Sequence, residues 1–192
     1  DDFQISSQAV LQDFSKYDGV GDGTGRQKNF PYGNMDYVCN IWEIPEQDSF
    51  FDAILCTEVL EHVPYPNETL IEFARLIKDN GALLLTAPFA AIPHMAPYFY
   101  FSGFSQNYYQ EKLAQAGFEI LSMEANGDAF AYLAQELIRL RQNFPGRFVK
   151  ALFLMFTVPI LLGLRIFRVF GKENAGYLVF GYHIHARRKA RP

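Results

Sequence analysis

In the run FDAILCTEVLEHV (residues 51–63), Glu58, Glu61 and His62 crowd the point where an apolar strand gives way to a helix. Two carboxyls and an imidazole so close together are materials for acid–base chemistry. An imidazole titrates near neutrality and can orient a substrate or take its proton. A structural account stands beside the chemical one. Acids in a first helical turn complement the helix dipole, which suffices for Glu58 and Glu61, and His62 can be a partly buried, hydrogen-bonded ring. A further imidazole, His94, lies in the loop AAIPHMAPYFYFSGF. His183 and His185 alternate along a closing strand and so face one way. Two histidines at that spacing lack an evident third ligand, so they read as structural and no metal site is expected. Cys39 and Cys56 sit inside apolar runs with neither disulfide nor zinc spacing. That pattern suits reduced, buried thiols in a cytoplasmic protein, and no signal peptide opens the chain.

These residues need a frame to hold them. SSQAVLQDFSKY (6–17) has helical spacing, and YDGVGDGTGR follows as a short strand running into a glycine-rich loop. MDYVCNI (35–41) reads as a strand, with IPEQDSF as the turn after it. FDAILC (51–56) is a continuous apolar run, as expected of a strand buried on both faces. Asn67 can cap the helix ETLIEFARLIKD, which Asn80 and Gly81 end before the strand ALLLTAP (82–88). SQNYYQEKLAQAGF (105–118) is a capped helix closing at Gly117, FEILSMEAN (118–126) a strand, and GYLVFGYHIHARRK (176–189) the last strand. Strands alternating with helices in this rhythm imply a parallel α/β sheet.

The 192 residues fit one domain with a proper core, and 49% of them are apolar. A net charge of −4 conceals an asymmetry: residues 1–138 hold 20 acids and 6 bases, the remainder 1 acid and 11 bases. The C-terminal part is therefore expected to meet something anionic or to dock on the acidic body. Its apolar stretch ALFLMFTVPILLGL (151–164) has 14 residues without a charge. As a helix it would be about 21 Å long, short of a membrane's hydrocarbon core of roughly 30 Å. RIFRVFGK then mixes Arg165, Arg168 and Lys172 with Ile166, Phe167 and Phe170. The segment suits a membrane interface, a lid over a lipid-like acceptor, or a buried helical subdomain. Nucleic acid is not an expected partner, because the basic residues interleave with long apolar runs.

The run DYVCNIWEIPEQDSFFDAILCTEVLEHVPYPNETLIEFARLIKDNGALLLTAPF resembles the class I S-adenosylmethionine-dependent methyltransferases. Within that family it is similar to small-molecule enzymes with a strand–[D/N]–x–x–x–[L/I]–P segment, an FD-strand ending in LEHV, and a helix ending in a GG-like turn. HMAP (94–97) and GFEI (117–120) fit the same branch. The resemblance covers residues 17–126 and the closing strand. It implies a Rossmann-like α/β fold: a mostly parallel sheet with an antiparallel last strand, and a helical insertion (130–174) before that strand. The cofactor implied is S-adenosyl-L-methionine. Asp22 would hold the ribose diol, although the acid is displaced by one residue from the family's usual place at Gly21. Asn40 would accept from the adenine amino group, backbone groups of Ile41 would read the ring, and Trp42 could stack nearby. Backbone groups of Cys56, Thr57 and Glu58 would face the methionine end. His94, and after it His62, would serve as base toward the acceptor, with Tyr98, Phe99, Tyr100 and Phe101 walling the pocket or packing.

One family signature departs from pattern. VGDGTGR (20–26) imitates the glycine turn that follows the first strand, but only 17 residues separate Gly23 from Asn40. That is too few for the helix, strand and helix that should intervene. Together with the helical look of 6–17, this places the first strand and its turn before Asp1 or decayed into DDFQISS. The expectation is methyl transfer to a small-molecule or lipid-linked acceptor, in the cytoplasm or at the inner membrane surface, with peripheral contact through 149–172. The alternative is a non-catalytic module that keeps the fold and binds partners or membrane.

Overall fold

The computed structural model describes residues 9–15, 33–170 and 178–191. Two short strands, β1 (Gln12–Asp13) and β2 (Tyr37–Val38), pair in parallel as a separate ribbon. The main sheet is built from β3 (Phe51–Thr57), β4 (Ile77–Pro88), β5 (Phe118–Asn126) and β6 (Gly181–Arg188), in the order β3–β4–β6–β5. β3 runs parallel to β4, while β6 is inserted antiparallel between β4 and β5. Three strands thus point one way and the last points back, as the family resemblance implies.

Two helices connect these strands. α1 (Pro66–Leu76) enters on a proline at its first position, where a missing N–H costs nothing. Asn67 is not its cap: Tyr65 holds that position, and the Asn67 side chain instead accepts from the Tyr108 hydroxyl at 3.1 Å. α1 also ends earlier than its periodicity suggests. Ile77 is already extended and paired with Phe51, because burying it in the sheet outweighs one more helical turn. α2 (Gln106–Ala116) follows its sequence closely. Ser105 accepts from the Tyr108 N–H, and Gly117 takes the left-handed cap at φ 89°.

Both helices lie on one face of the sheet. There Leu70 and Phe73 of α1, with Tyr109 and Leu113 of α2, pack on Leu83, Leu85, Tyr182 and Ile184. The opposite face is different. Leu55 is 70% exposed, and among the described residues no helix or strand covers it. The expectation that β3 is buried on both faces is therefore wrong for this structure: only Cys56 along it is buried. The apolar run reports what a doubly covered strand would look like, and among the described residues the cover is on one side.

The expected helix over 6–17 is also corrected where it is described. Residues 9–15 are extended or irregular, and Leu11 to Asp13 bond with Asp36 to Cys39 of the β2 segment. Backbone pairing with a neighbouring strand overrides a weak helical pattern. The loop after β2 is fastened to α1 by Arg75, which donates to Glu72, Asp48 and the carbonyls of Ile44 and Glu46. Glu72 in turn accepts from the Ile44 N–H at 2.8 Å.

Between β5 and β6 the chain forms two further helices, α3 (Ala129–Leu140) and α4 (Arg147–Phe170). Asp128 caps α3 through the Ala131 N–H and also pairs with Arg168 at 2.6 Å. Phe144 meets Phe153 at 4.8 Å. The end of α4 thus returns to the start of α3, as an antiparallel pair. α3 buries no residue and α4 buries only Thr157.

Candidate functional site

The carboxyl end of β3 is where the chemistry collects. Glu58 has a left-handed backbone at φ 52°, its N–H bonds to the Thr86 carbonyl, and its carboxylate accepts from the Thr86 hydroxyl at 2.9 Å. Thr57 beside it is exposed, whereas Cys56 turns into the core. Burial pushes the Cys56 thiol up to about 12, so any role there falls to its backbone. A 3₁₀ turn, Leu60–His62, then carries Glu61 and His62 inward before α1 begins. Neither Glu58 nor Glu61 stands in the first turn of α1, so the helix-dipole account of these acids does not hold.

Glu61 is 1% exposed, and its Oε2 has no hydrogen-bond partner among the described residues. Burial without a partner penalises the charged form, and the carboxyl is pushed up to about 7. His62 donates from Nδ1 to the Tyr98 carbonyl at 2.6 Å if the ring carries its proton there, which leaves Nε2 3.6 Å from Glu61 Oε1. Burial first, and then the nearness of His94, hold His62 below the usual imidazole range.

His94 arrives from the loop after β4. That loop is closed at its base by Ala91 bonding to Ser102 and by Phe104 bonding back to Pro88. Closure needs Gly103, since at φ 152° a Cβ would stand 2.2 Å from the Phe89 carbonyl oxygen. Tyr100 and Phe101 donate their N–H groups to the Glu61 carbonyl, drawing the loop over the turn. The two imidazoles consequently meet edge to face at 4.7 Å, with Phe99 5.0 Å from His94. Phe101 packs into the core against Phe104, and Tyr98 stands against Phe14 at 4.9 Å.

The structure therefore brings His62 and His94 together from residues far apart in the chain. Glu61 joins them as a buried carboxyl where the sequence pattern predicts only an acid at a helix start. No spacing rule flags it, because its burial comes from the 98–101 loop folding back.

A second pocket lies by β2, lined by Phe14, Val38, Cys39, Asn40 and Glu43. An amide, a carboxylate and two apolar walls are the groups that an adenine and a ribose diol require, so this donor set fits S-adenosylmethionine. Ile41 is half-buried against the core, and Trp42 stands edge-on to Tyr65 at 5.2 Å. Asp22 and the VGDGTGR loop lie outside the described residues. His183 and His185 line a groove on the bare sheet face with Leu55, Leu84, Thr86, Ser122 and Glu124.

A family model described as a methyltransferase domain matches residues 19–85. A ubiquinone biosynthesis O-methyltransferase of Xanthomonas oryzae pv. oryzae is 49% identical over 41 residues, which is 21% of this chain and 17% of that protein. The protein of the same description in Coxiella burnetii is 43% identical over 54 residues, 28% of this chain and 23% of that one. The matched stretches thus span less than a quarter of either relative. Among solved structures, a phosphoethanolamine N-methyltransferase of Haemonchus contortus with S-adenosyl-L-methionine aligns at 15% identity and a TM-score of 0.44. That alignment covers 82% of this chain and 37% of the other.

Proposed function

We propose that this chain, whose residues 19–85 match a methyltransferase domain, is a class I S-adenosylmethionine-dependent methyltransferase that takes part in methyl transfer to a small-molecule or lipid-linked acceptor at a membrane surface. The observation that carries the cofactor half is the Asn40 pocket, whose Val38, Cys39, Asn40 and Glu43 lie inside the stretch that matches the family. Asn40 would accept from the adenine amino group, Glu43 in the lining of the same pocket would receive the ribose hydroxyls, and the backbone of Thr57 and Glu58 would offer polar groups at the sheet's carboxyl edge. When bound, the cofactor supplies an electrophilic methyl group on a sulfonium. What the protein adds is mainly position, because a nucleophile held in line loses little entropy on reacting. For an acceptor hydroxyl, the proton would pass to Nε2 of His94 or His62, each of whose Nδ1 atoms already faces a backbone carbonyl.

The acceptor half rests on α4. Its 24 residues amount to about 36 Å of helix, longer than the 14-residue apolar stretch alone implied and enough to cross a bilayer by length and composition. Arg147 and Lys150 mark one end, Arg165 and Arg168 the other, with apolar side chains between them largely exposed. Such a helix fits an anionic lipid surface, where an acceptor with an apolar tail would also reside. Two free cysteines suit the cytoplasmic side.

Calorimetric titration of S-adenosylhomocysteine into the chain tests the cofactor half. Saturable binding, weakened about tenfold by Asn40→Ala, is expected if the lost amide bond is worth roughly 1.4 kcal/mol. Absence of binding would turn the reading to a non-catalytic module of the same fold. Flotation with phosphatidylglycerol vesicles tests the surface half, and a chain left wholly in the soluble fraction would overturn it.

A further inference from the structure

We infer that Tyr132 is a positioning residue through which α4, once it lies on an anionic lipid surface, sets the place of the loop that carries His94. The inference rests on the membrane half of the reading above and adds how lipid contact reaches the site. Tyr132 stands one turn into α3. Its hydroxyl donates to the Ala90 carbonyl at 2.9 Å, and its ring lies 5.9 Å from that of Phe180. Both contacts cross from the α3–α4 pair, whose apolar side chains are largely open to water, to the carboxyl edge of the sheet.

Each side of this link is anchored. On the sheet side, the Phe180 N–H bonds to the Asn126 carbonyl and the Phe180 carbonyl accepts from the Phe89 N–H, each at 2.9 Å. The Phe180 ring fits against Gly127, which has a φ of 80°; a Cβ there would stand 2.4 Å from the ring. Tyr132 therefore leans on a platform that shifts only if the edge of the sheet opens. On the lipid side, Asp128 makes three bonds at once. One carboxylate oxygen pairs with Arg168 of α4 at 2.6 Å, and the other accepts from the Ala131 N–H at 2.9 Å. Its carbonyl accepts from the Tyr132 N–H at 2.9 Å. The end of α4, the start of α3 and Tyr132 are thus one connected unit.

The other end of the link is the outgoing arm of the loop. Ala90 is where that arm leaves the sheet, four residues before His94. The returning arm is held separately, by Tyr100 and Phe101 on the Glu61 carbonyl. In water the Arg168 side chain is 57% exposed, and an ion pair so open restrains α4 little. A lipid surface takes in the apolar side chains of α4 and withdraws water from the pair, which strengthens both restraints. Ordering α4 then orders Tyr132 and, through Ala90, the arm that bears His94. Nothing new has to touch the site for this to happen, because a restraint on one segment lowers the freedom of the segment bonded to it.

The experiment reads the loop itself, with neither cofactor nor acceptor, so its result does not depend on methyl transfer. Amide hydrogen exchange over residues 90–104 is followed with and without phosphatidylglycerol vesicles, in the parent chain and in Tyr132→Phe. Phenylalanine keeps the ring beside Phe180 and removes only the bond to Ala90. Vesicles should slow exchange about fivefold in the parent, which is what one ordinary hydrogen bond is worth, and not at all in the variant. Both should float equally well with the vesicles. Asp128→Asn keeps an oxygen for the Ala131 N–H but ends the ion pair with Arg168, and it should lose the slowing too. A parent chain that does not bind vesicles overturns this inference together with the membrane reading. Binding without slowing, or slowing that Tyr132→Phe retains, overturns the inference alone and leaves that reading standing. So does a variant whose loop exchanges faster by the same factor with and without vesicles, since Tyr132 would then be a plain structural contact.

Discussion

The sheet with α1 and α2, and the α3–α4 pair, are both rich in apolar side chains, yet they spend them in opposite ways. In the first, Phe73, Leu70, Leu83 and Tyr182 are all but sealed from water; in the second, Phe148 and Phe170 are each 80% exposed. Composition alone would not separate the two regions. What separates them is whether a facing surface exists: α1 and α2 lie on a sheet, whereas among the described residues α4 touches α3 along one side and little else. A helix apolar all round belongs in a core or in a lipid environment, and among the described residues α4 has no core. The bare face of the sheet, with Leu55 and Leu84, is an intermediate case.

The contrast is sharpest if the two regions respond oppositely to the same kind of truncation. Phe73→Ala should cost about 3–5 kcal/mol of unfolding free energy, the range for emptying a sealed aromatic site, as read from urea denaturation. A loss under about 1 kcal/mol would mean that this half is not the stable core.

Next in size is Glu61→Gln, read as a function of pH. A carboxyl raised to about 7 in the folded chain binds its proton more tightly than the unfolded chain does. Below the unfolded value both states are protonated and nothing is lost. As pH rises toward 7 the unfolded state ionises first, so stability falls, by about 3 kcal/mol at most given 1.4 kcal/mol per pK unit. Glutamine cannot ionise. The stability difference between variant and parent should therefore grow from pH 4.5 to 7 and level off above it. A pH-independent difference would show that Glu61 is solvated after all.

Arg75→Met comes third. It removes the donor that ties Ile44, Glu46, Asp48 and Glu72 together, and about 2 kcal/mol is expected, since the guanidinium is a third exposed and only part of its bonding is buried. The loss should appear as faster proteolysis around 42–50 before the sheet itself yields.

Much of this frame was legible beforehand, for identifiable reasons. α2 and β5 declare themselves through local chemistry: Ser105, Gly117 and a clean run from Phe118 to Asn126 leave nothing for distant contacts to decide. β3 and β4 were visible as apolar runs. Their covering was not, because whether a second layer exists is a property of other segments. The helix expected over 6–17 failed for a similar reason, since its backbone bonds go to residues 36–39. At the site, His62 and His94 were each candidates, but their meeting depends on Gly103 closing a loop and on two N–H groups reaching the Glu61 carbonyl. Glu61 itself was hidden by a sufficient local explanation. An acid ahead of a helix looks ordinary until the intervening 3₁₀ turn is seen to bury it.

The smallest expected effect on stability is the most telling for the comparison. Phe156 and Phe167 are 65% and 64% exposed, and their eleven-residue separation puts them on one side of α4 at 100° per residue. In water, replacing both by alanine removes little buried area, so urea unfolding should move by no more than about 0.5 kcal/mol. On phosphatidylglycerol vesicles the same change withdraws two aromatic rings from the lipid, and each buried ring is worth about 1.5–3 kcal/mol. Partitioning should then fall by at least tenfold while stability holds. If stability fell instead and partitioning did not change, the exposed face of α4 would be a protein contact, and the contrast between the two regions would reduce to one core seen in two parts.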